Sequence, residues 1–419
     1  MIIKRLRQLG NSLILLLCRI ATVCMIFWSY GLAGGTFRIA TYNILNFPDA
    51  MGMQRINCLR TVIAYIEPDV IVVQEMQSQA GVDLFLDSVM NYQGDLYEST
   101  PFHDGAGTDN AIFYNQDVVQ LLHDQYLSTI NRDIAQYRLR FSENQHEFYL
   151  FSLHFKASQG SGNESIRLDE ATTLREHLSL FAQGSYFLAV GDFNIYHSDE
   201  PAFQYLTGDF PNNNGRLYDP LKASGLWHEN SAFSEIHTQS TRFEQLADGG
   251  AGGGMDDRFD MVLCSSNFID SSGLFINDYS YSIVGNDGNH FNVSINDGYN
   301  SAVPVDVADA LYYASDHLPL FVDIDDGNLQ TIPERILKIW PNPMQSIVYI
   351  EFPWADDFEN AGITVTNIIG QRVYESTTRD PNGFVLRRGS LPVGVYFIHV
   401  KVQTRYSTIN YRSKMAVVE

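Results

Sequence analysis

Phe187-Leu-Ala-Val-Gly-Asp-Phe-Asn-Ile-Tyr-His197 is the stretch on which the reading of this chain turns. Four apolar residues predict a buried strand, and Gly191 allows a sharp backbone turn at its end. Asp192 and Asn194 then stand one residue apart on the following loop, so a carboxylate and an amide can face one pocket. An Asp-Asn turn accounts for this pair equally well when it is taken alone. In open α/β sheets, however, ligand sites lie beyond the carboxyl ends of strands, where this pair falls.

Working outward, the same pattern recurs. Phe37 to Tyr42 predicts a strand ending at Asn43, and Val70 to Val73 one ending at Gln74-Glu75. Ala111 to Tyr114 is another, and Phe148 to Leu153 ends at His154. Phe259 to Leu263 carries Asp260, and Leu318 to Val322 follows Asp316-His317. Between them, Ile56, Leu59, Ile63 and Ile66 recur at helical spacing up to Glu67-Pro68. Leu168, Ala171, Leu174, Leu178 and Phe181 form the apolar face of a second helix, with Gly184 as its stop. All-apolar strands separated by helices predict a layered α/β domain.

The formal net charge is -22. Residues 1–33 hold four Lys/Arg and no acid, and residues 331–419 have ten Lys/Arg against eight Asp/Glu, so the acid is concentrated between them. Such a surface repels polyanions at low salt and argues against a protein that coats DNA; divalent cations or salt soften the repulsion. Lys4, Arg5 and Arg7, the apolar run from Leu13 through Trp28 and the small residues Gly31-Leu-Ala33 predict a cleaved signal peptide over 1–33. Arg19 interrupts the run, so no stable membrane span is expected after cleavage. Neither Cys18 nor Cys24 follows a convincing lipobox. Cys58 and Cys264 predict small buried residues, with their pairing left open.

Ala247-Asp-Gly-Gly-Ala-Gly-Gly-Gly254 does not join a strand to a helix and predicts a mobile loop beside the site, not a phosphate cradle. Asn286-Asp-Gly and Asn296-Asp-Gly predict turns or hairpins, without the ligand spacing of a calcium loop. The resulting division is a catalytic domain over 34–326, a linker over 327–334 and, over 335–419, a small β-sandwich with no helical pattern.

Asn43, Glu75, His154, Asp192, Asn194, Asp260, Asp316 and His317 thus all stand at one end of a sheet. Each has a plain reading alone: a cap, an ion pair, a core histidine. Together, carboxylates, amides and imidazoles without Cys suit a hard divalent ion and a phosphate.

Ile39-Ala-Thr-Tyr-Asn43, Asp69-Val-Ile-Val-Val-Gln-Glu75, Phe151-Ser-Leu-His154, Gly191-Asp-Phe-Asn194, Arg258-Phe-Asp260 and Ser315-Asp-His317 appear in order. The set resembles the endonuclease/exonuclease/phosphatase superfamily of metal-dependent phosphodiesterases. That resemblance implies a DNase I-like four-layer sandwich, two packed mixed sheets flanked by helices. It implies a Mg²⁺ site (Mn²⁺ or Ca²⁺ as alternatives) at Asn43, Glu75 and Asp316. His317 resembles the general base, oriented by Asp260, although Asp192 could instead orient or deprotonate the water. His154 and Asn194 resemble donors to phosphate oxygens. After Asn43 the chain reads Ile-Leu-Asn-Phe, closer to secreted bacterial nucleases than to the abasic-site repair branch.

Trp340-Pro-Asn-Pro343, Ile369-Gly-Gln-Arg-Val373 and Leu391-Pro-Val-Gly-Val-Tyr-Phe397 resemble the type IX secretion sorting domain of Bacteroidota. The implied partners are that secretion machinery and a nucleic acid or other phosphodiester. Nucleotides, inositol phosphates and phospholipid headgroups are the alternative substrates, and an inactive surface-binding protein the third reading. The implied location is secreted or attached to the outer surface.

Overall fold

The computed structural model describes residues 36–326 and 338–418, apart from 270–272, 278–279, 352–357, 368–371 and 405–407. The expected leader and linker lie outside the described residues. The chain divides into two compact units, 1–329 and 330–419.

In the first unit the strands are β1 (Thr36–Phe47), β2 (Val70–Met76), β3 (Tyr97–Ser99), β4 (Asp109–Asn115), β5 (Val119–Leu127) and β6 (Ile134–Phe141). They continue with β7 (Glu147–His154), β8 (Phe187–Asp192), β9 (Asp260–Cys264), β10 (Leu274–Ile276), β11 (Ser282–Ile283) and β12 (Leu320–Asp326). The α-helices are α1 (Gly52–Ile66), α2 (Gln79–Phe85), α3 (Ser161–Leu178), α4 (Pro201–Thr207) and α5 (Val305–Ala314). One sheet runs β10-β12-β1-β2-β4-β3, with β11 also on β12; the other runs β5-β6-β7-β8-β9. Both mix parallel pairs, β1 with β2 and β7 with β8, with antiparallel ones.

Three apolar clusters fix the layering. Phe37, Ile39, Val70 and Val72 of the first sheet pack on Tyr137, Leu150, Leu188 and Val262 of the second. The outer face of the first sheet takes Leu59, Ile63 and Leu311 from α1 and α5. The outer face of the second takes Ala171, Leu174 and Leu206 from α3 and α4. The order is helix, sheet, sheet, helix. Because inward and outward side chains alternate along a strand, both faces of β1, β2 and β8 are covered, which explains their near-continuous apolar runs.

Several local expectations change. Gly191 lies inside β8 and makes no turn; its φ is +130°, and a Cβ there would stand 2.1 Å from the Leu153 carbonyl oxygen of β7. Glycine is required there for close approach of the backbones. Helix α3 ends at Leu178, before Phe181 and Gly184, and buries Arg167 and Glu170, while Leu168 of the expected apolar face is only half-buried. Arg167 is paired with the equally buried Glu200, so a buried charge is compensated. Strands β5 and β6 have no counterpart in the sequence reading. Neither Asn286-Asp-Gly nor Asn296-Asp-Gly forms a hairpin: the first is irregular chain with a bend at Gly288, and the second begins in a turn at Asn296. Cys58 is half-buried, Cys264 is buried, and both are free thiols.

The second unit holds β13 (Lys338–Trp340), β14 (Ile347–Glu351), β15 (Phe358–Asn367), β16 (Arg372–Thr378), β17 (Gly383–Arg387), β18 (Gly394–Thr404) and β19 (Thr408–Val417). Two antiparallel sheets, β13-β14-β17 and β16-β15-β18-β19, enclose Val348, Ile350, Ile363, Val365, Ile398 and Val400. Met344 and the final strand exchange backbone bonds of 2.7 and 2.9 Å, so the chain's end is stitched into the core.

Candidate active site

Strand register brings the polar strand ends together. His154 of β7 is the register partner of Asp192 of β8, which is in turn the partner of Asp260 of β9. On the facing sheet, β1 and β2 pair in parallel up to Asn43 and Gln74, one residue short of Glu75. Glu75 takes a left-handed backbone, φ +65°, which turns its carboxylate out of the strand.

The side chains meet between the two sheets. Asn43 Nδ2 donates to Glu75 Oε1 at 3.0 Å and to Asp192 Oδ2 at 3.2 Å, and lies 3.4 Å from His317 Nε2. His154 Nε2 is 3.4 Å from Asp192 Oδ2 and 4.0 Å from Glu75 Oε1. His317 Nδ1–H donates to Asp260 Oδ2 at 2.7 Å, while its Nε2 faces Asp192 Oδ2 at 3.8 Å. Backbone bonds set the acids: Asn46 N–H donates to Glu75 Oε2 at 2.8 Å, and Asn194 N–H to Asp192 Oδ1 at 3.0 Å. Asn194 Nδ2 donates to the Phe155 carbonyl at 3.2 Å, beside His154. Ser315 Oγ donates to the Asn43 carbonyl at 2.7 Å and so ties the Ser-Asp-His segment to β1. Asp316 Oδ2 accepts Ala251 N–H at 2.7 Å and Gln239 Nε2–H at 3.4 Å. All eight residues named from the sequence therefore fall in one polar cluster, Asp316 at its edge with one carboxylate oxygen already bonded to a loop.

Residues 40–317 match the Endonuclease/Exonuclease/phosphatase family. The chain belongs to that family. Residues 338–412 match the Secretion system C-terminal sorting domain. Among solved structures, a family member from Bacteroides vulgatus is 15% identical, with 70% of this chain and 99% of that one covered and a TM-score of 0.47. The human Nocturnin catalytic domain, solved with bound sulfate, is 18% identical over 69% of this chain and 94% of its own, with a TM-score of 0.45. A mannosyl-6-phosphatase from Bacteroides thetaiotaomicron is 15% identical over 69% and 99%, with a TM-score of 0.42. No curated protein matches.

Burial sets the electrostatics of this cluster. Desolvation pushes the Asp192 carboxyl well above the ordinary range, and nearby Asp260 and Glu75 push it further; His317 and the Asn43 donor act against them. For His317, burial opposes the charged ring, but Asp260 and Asp192 outweigh it and raise its pKa well above 6.5. His154 moves the other way, well below 6.5, through burial and the neighbouring charges of Arg132, His317 and Lys156. One imidazole is thus strongly basic and the other neutral, an acid–base division made by environment alone. Glu75, Asp192 and Asp316 offer oxygen donors of the type a hard divalent ion takes, while the Asn43 amide faces Glu75 and Asp192 with Nδ2 and its Oδ1 accepts Leu45 N–H at 3.1 Å.

Two contributors escaped the sequence reading. Gln239 Nε2–H donates to His317 Nε2 at 2.6 Å; it lies on an irregular loop where no periodicity or motif marks it. Arg132 Nη1 reaches the same Phe155 carbonyl as Asn194, at 3.4 Å, and stands just before β6, itself absent from the sequence reading. The Gly-rich loop does flank the site but is tied down: Arg242 pairs with Asp248 at 2.7 Å, and Ser240 Oγ donates to the Ala251 carbonyl at 2.8 Å. His228, Asp256 and Asp257 gather in space, their ligand atoms within 4.8 Å of one another; His228 Nδ1 bonds Asp257 Oδ1 at 2.7 Å and the Asp257 carbonyl accepts Gln239 N–H at 3.1 Å.

Proposed function

We propose that this family member is an exported, divalent-metal-dependent phosphodiesterase, a nuclease acting on extracellular nucleic acid. The observation that carries the reading is the buried His317–Asp260 pair, 2.7 Å apart, with the other ring nitrogen, which the Gln239 amide meets at 2.6 Å, turned toward Asp192 and Asn43. Asp260 keeps the proton on Nδ1, so Nε2 of the neutral ring takes the proton of an attacking water. Asp192 orients that water, and its raised pKa also makes it the alternative base. His154 and Asn194 serve as donors to non-bridging phosphate oxygens, with Arg132, bonded to the Phe155 carbonyl, as the nearby cation. Glu75, with Asn43 and Asp316, would hold Mg²⁺, and Mn²⁺ or Ca²⁺ would fit the same oxygen donors. When bound, the ion supplies Lewis-acid polarisation of the phosphate and charge for the departing alkoxide.

Export supports nucleic acid as the substrate, since the sorting domain directs the chain to type IX secretion and the medium or outer surface. The strong acidity of the central region favours a second reading, a phosphatase or phosphodiesterase on small phosphate esters. Assays on plasmid DNA, RNA, bis-p-nitrophenyl phosphate and inositol phosphates, each with chelator and with Mg²⁺, separate the two. Cleavage of DNA or RNA at rates exceeding those on small esters supports the nuclease. Turnover confined to small esters replaces it with the second reading.

A further inference from the structure

The segment leading into β9 brings two carboxylates to a histidine that the catalytic cluster does not include. Main-chain bonds to Gln239 hold the carboxylates in place. Asp256 N–H and Asp257 N–H donate to its carbonyl at 2.8 and 2.9 Å, and its own N–H donates to the Asp257 carbonyl at 3.1 Å. The segment carrying the histidine is laced to the same place: Glu229 N–H donates to the Asp256 carbonyl at 3.0 Å, and His228 N–H to the Tyr196 carbonyl at 3.3 Å. The His228 ring stands edge-on to Tyr196, with centroids 5.2 Å apart. One ligand atom from each of His228, Asp256 and Asp257 therefore lies within 4.8 Å of the other two. Asp257 is buried, whereas Asp256 and His228 are half-buried, so one side of the cluster is open to water.

His228 Nδ1 and Asp257 Oδ1 are 2.7 Å apart, held by the ring proton between them. Two ligand atoms on one zinc ion stand about 3.3 Å apart, given bonds of about 2.0–2.2 Å, so the ion replaces that proton with a movement of about half an ångström. The proton then belongs on Nε2, where a partner already stands. The Gln159 side-chain amide lies 2.7 Å from Nε2, and turned over it presents Oε1 as the acceptor. Glu229 Oε1, 4.0 Å from the same nitrogen, favours a proton there as well. An outer acceptor that fixes the tautomer is what a metal-bound histidine requires. We propose that His228 Nδ1, Asp256 and Asp257 bind one Zn²⁺ ion, with water completing its coordination, separately from the catalytic centre. Magnesium and calcium take oxygen donors, and an imidazole beside two carboxylates suits zinc better. The ion also cancels negative charge that Asp256, Asp257 and Glu229 place around a single ring. Asp257 pairs through its backbone with Gln239, whose amide meets His317 at 2.6 Å, so the bound ion braces the segment that carries this amide.

The test uses the whole protein, with calorimetric titration of Zn²⁺ and thermal melting with and without it. Millimolar Mg²⁺ is present throughout, so that sites made of oxygen alone are already filled. Wild type should bind one Zn²⁺ per chain and melt at a higher temperature with it. His228→Gln and Asp256→Asn, both at half-buried side chains, should each weaken binding by about tenfold or more, and Gln159→Leu by about tenfold through loss of the outer acceptor. Glu75→Gln, which alters the catalytic centre, should bind zinc as the wild type does. Neither readout needs turnover, so a protein that fails as a phosphodiesterase can still pass this test, and an active one can fail it. Should His228→Gln and Asp256→Asn not melt cooperatively, Gln159→Leu decides. Wild-type affinity in these three variants, loss of zinc binding in Glu75→Gln, or no binding by the wild type would each overturn the proposal.

Discussion

His317 and Asp260 come from different sheets, yet they meet through a 2.7 Å hydrogen bond in which both side chains are buried. The contact exists because β12 follows the Ser-Asp-His segment on one sheet while β9 begins with Asp260 on the other. Asp260→Asn keeps the shape but presents an amide that can leave the ring in the wrong tautomer. By analogy with carboxylate-oriented histidines elsewhere, kcat should fall by roughly three to four orders of magnitude. Turnover of bis-p-nitrophenyl phosphate, with thermal melting as the check on folding, measures it.

The same pair fixes the sign of the pH dependence. Burial lowers the His317 pKa, but Asp260 and Asp192 raise it more, to well above 6.5. The base is therefore protonated at acid pH, and kcat/KM should climb with an ascending limb above pH 6.5. Asp192→Asn removes one of the two carboxylates and should move that limb to lower pH as well as slow the reaction. A pH–rate profile of both proteins reads the shift; an unmoved limb argues that His317 is not the group titrating.

Gln239 holds His317 from the side opposite Asp260, at 2.6 Å. Replacing it with Ala removes one donor and leaves the ring able to swing. The expected result is a fall of about tenfold in kcat with KM little changed, the pattern of a residue that positions another.

Glu170 gives a prediction about stability. Burial raises its pKa to about 7 from an unfolded value of 4.5, with Lys156 N–H donating to it at 2.8 Å. Between those values the folded chain keeps a proton that the unfolded chain has lost. Its contribution is thus fully present below pH 4.5 and is lost as pH rises toward 7. The loss is on the order of 3 kcal/mol, and Glu170→Gln should abolish that part of the slope. Urea unfolding of both proteins at pH 5 and pH 8 compares them; parallel curves would contradict the assignment.

Much of this was legible in one dimension. The all-apolar runs of β1, β2, β7 and β8 announce strands covered on both faces, and the polar residue closing each run marks the end where the cluster forms. What escaped is what tertiary contact decides. Strand β5 mixes polar and apolar residues because it is half-exposed, and β6 buries Gln136 among its apolar residues, so no clean period appears in either. Arg167 and Glu170 are buried because Arg167 meets Glu200 and Glu170 meets the Lys156 backbone, pairings that helical spacing cannot reveal. Gln239 and Arg132 act through loops, where position depends on every element beneath them. Gly191 was recognised as necessary for the wrong reason, since the constraint on it is the Leu153 carbonyl of the neighbouring strand.

The most direct test of the central claim is phosphodiester hydrolysis by the purified protein, with and without chelator, alongside Glu75→Gln and His317→Ala. The account predicts activity that vanishes in chelator, returns with Mg²⁺ and falls by orders of magnitude in both variants while their melting stays cooperative. Undiminished turnover in chelator, or a folded His317→Ala protein as fast as the wild type, would contradict it.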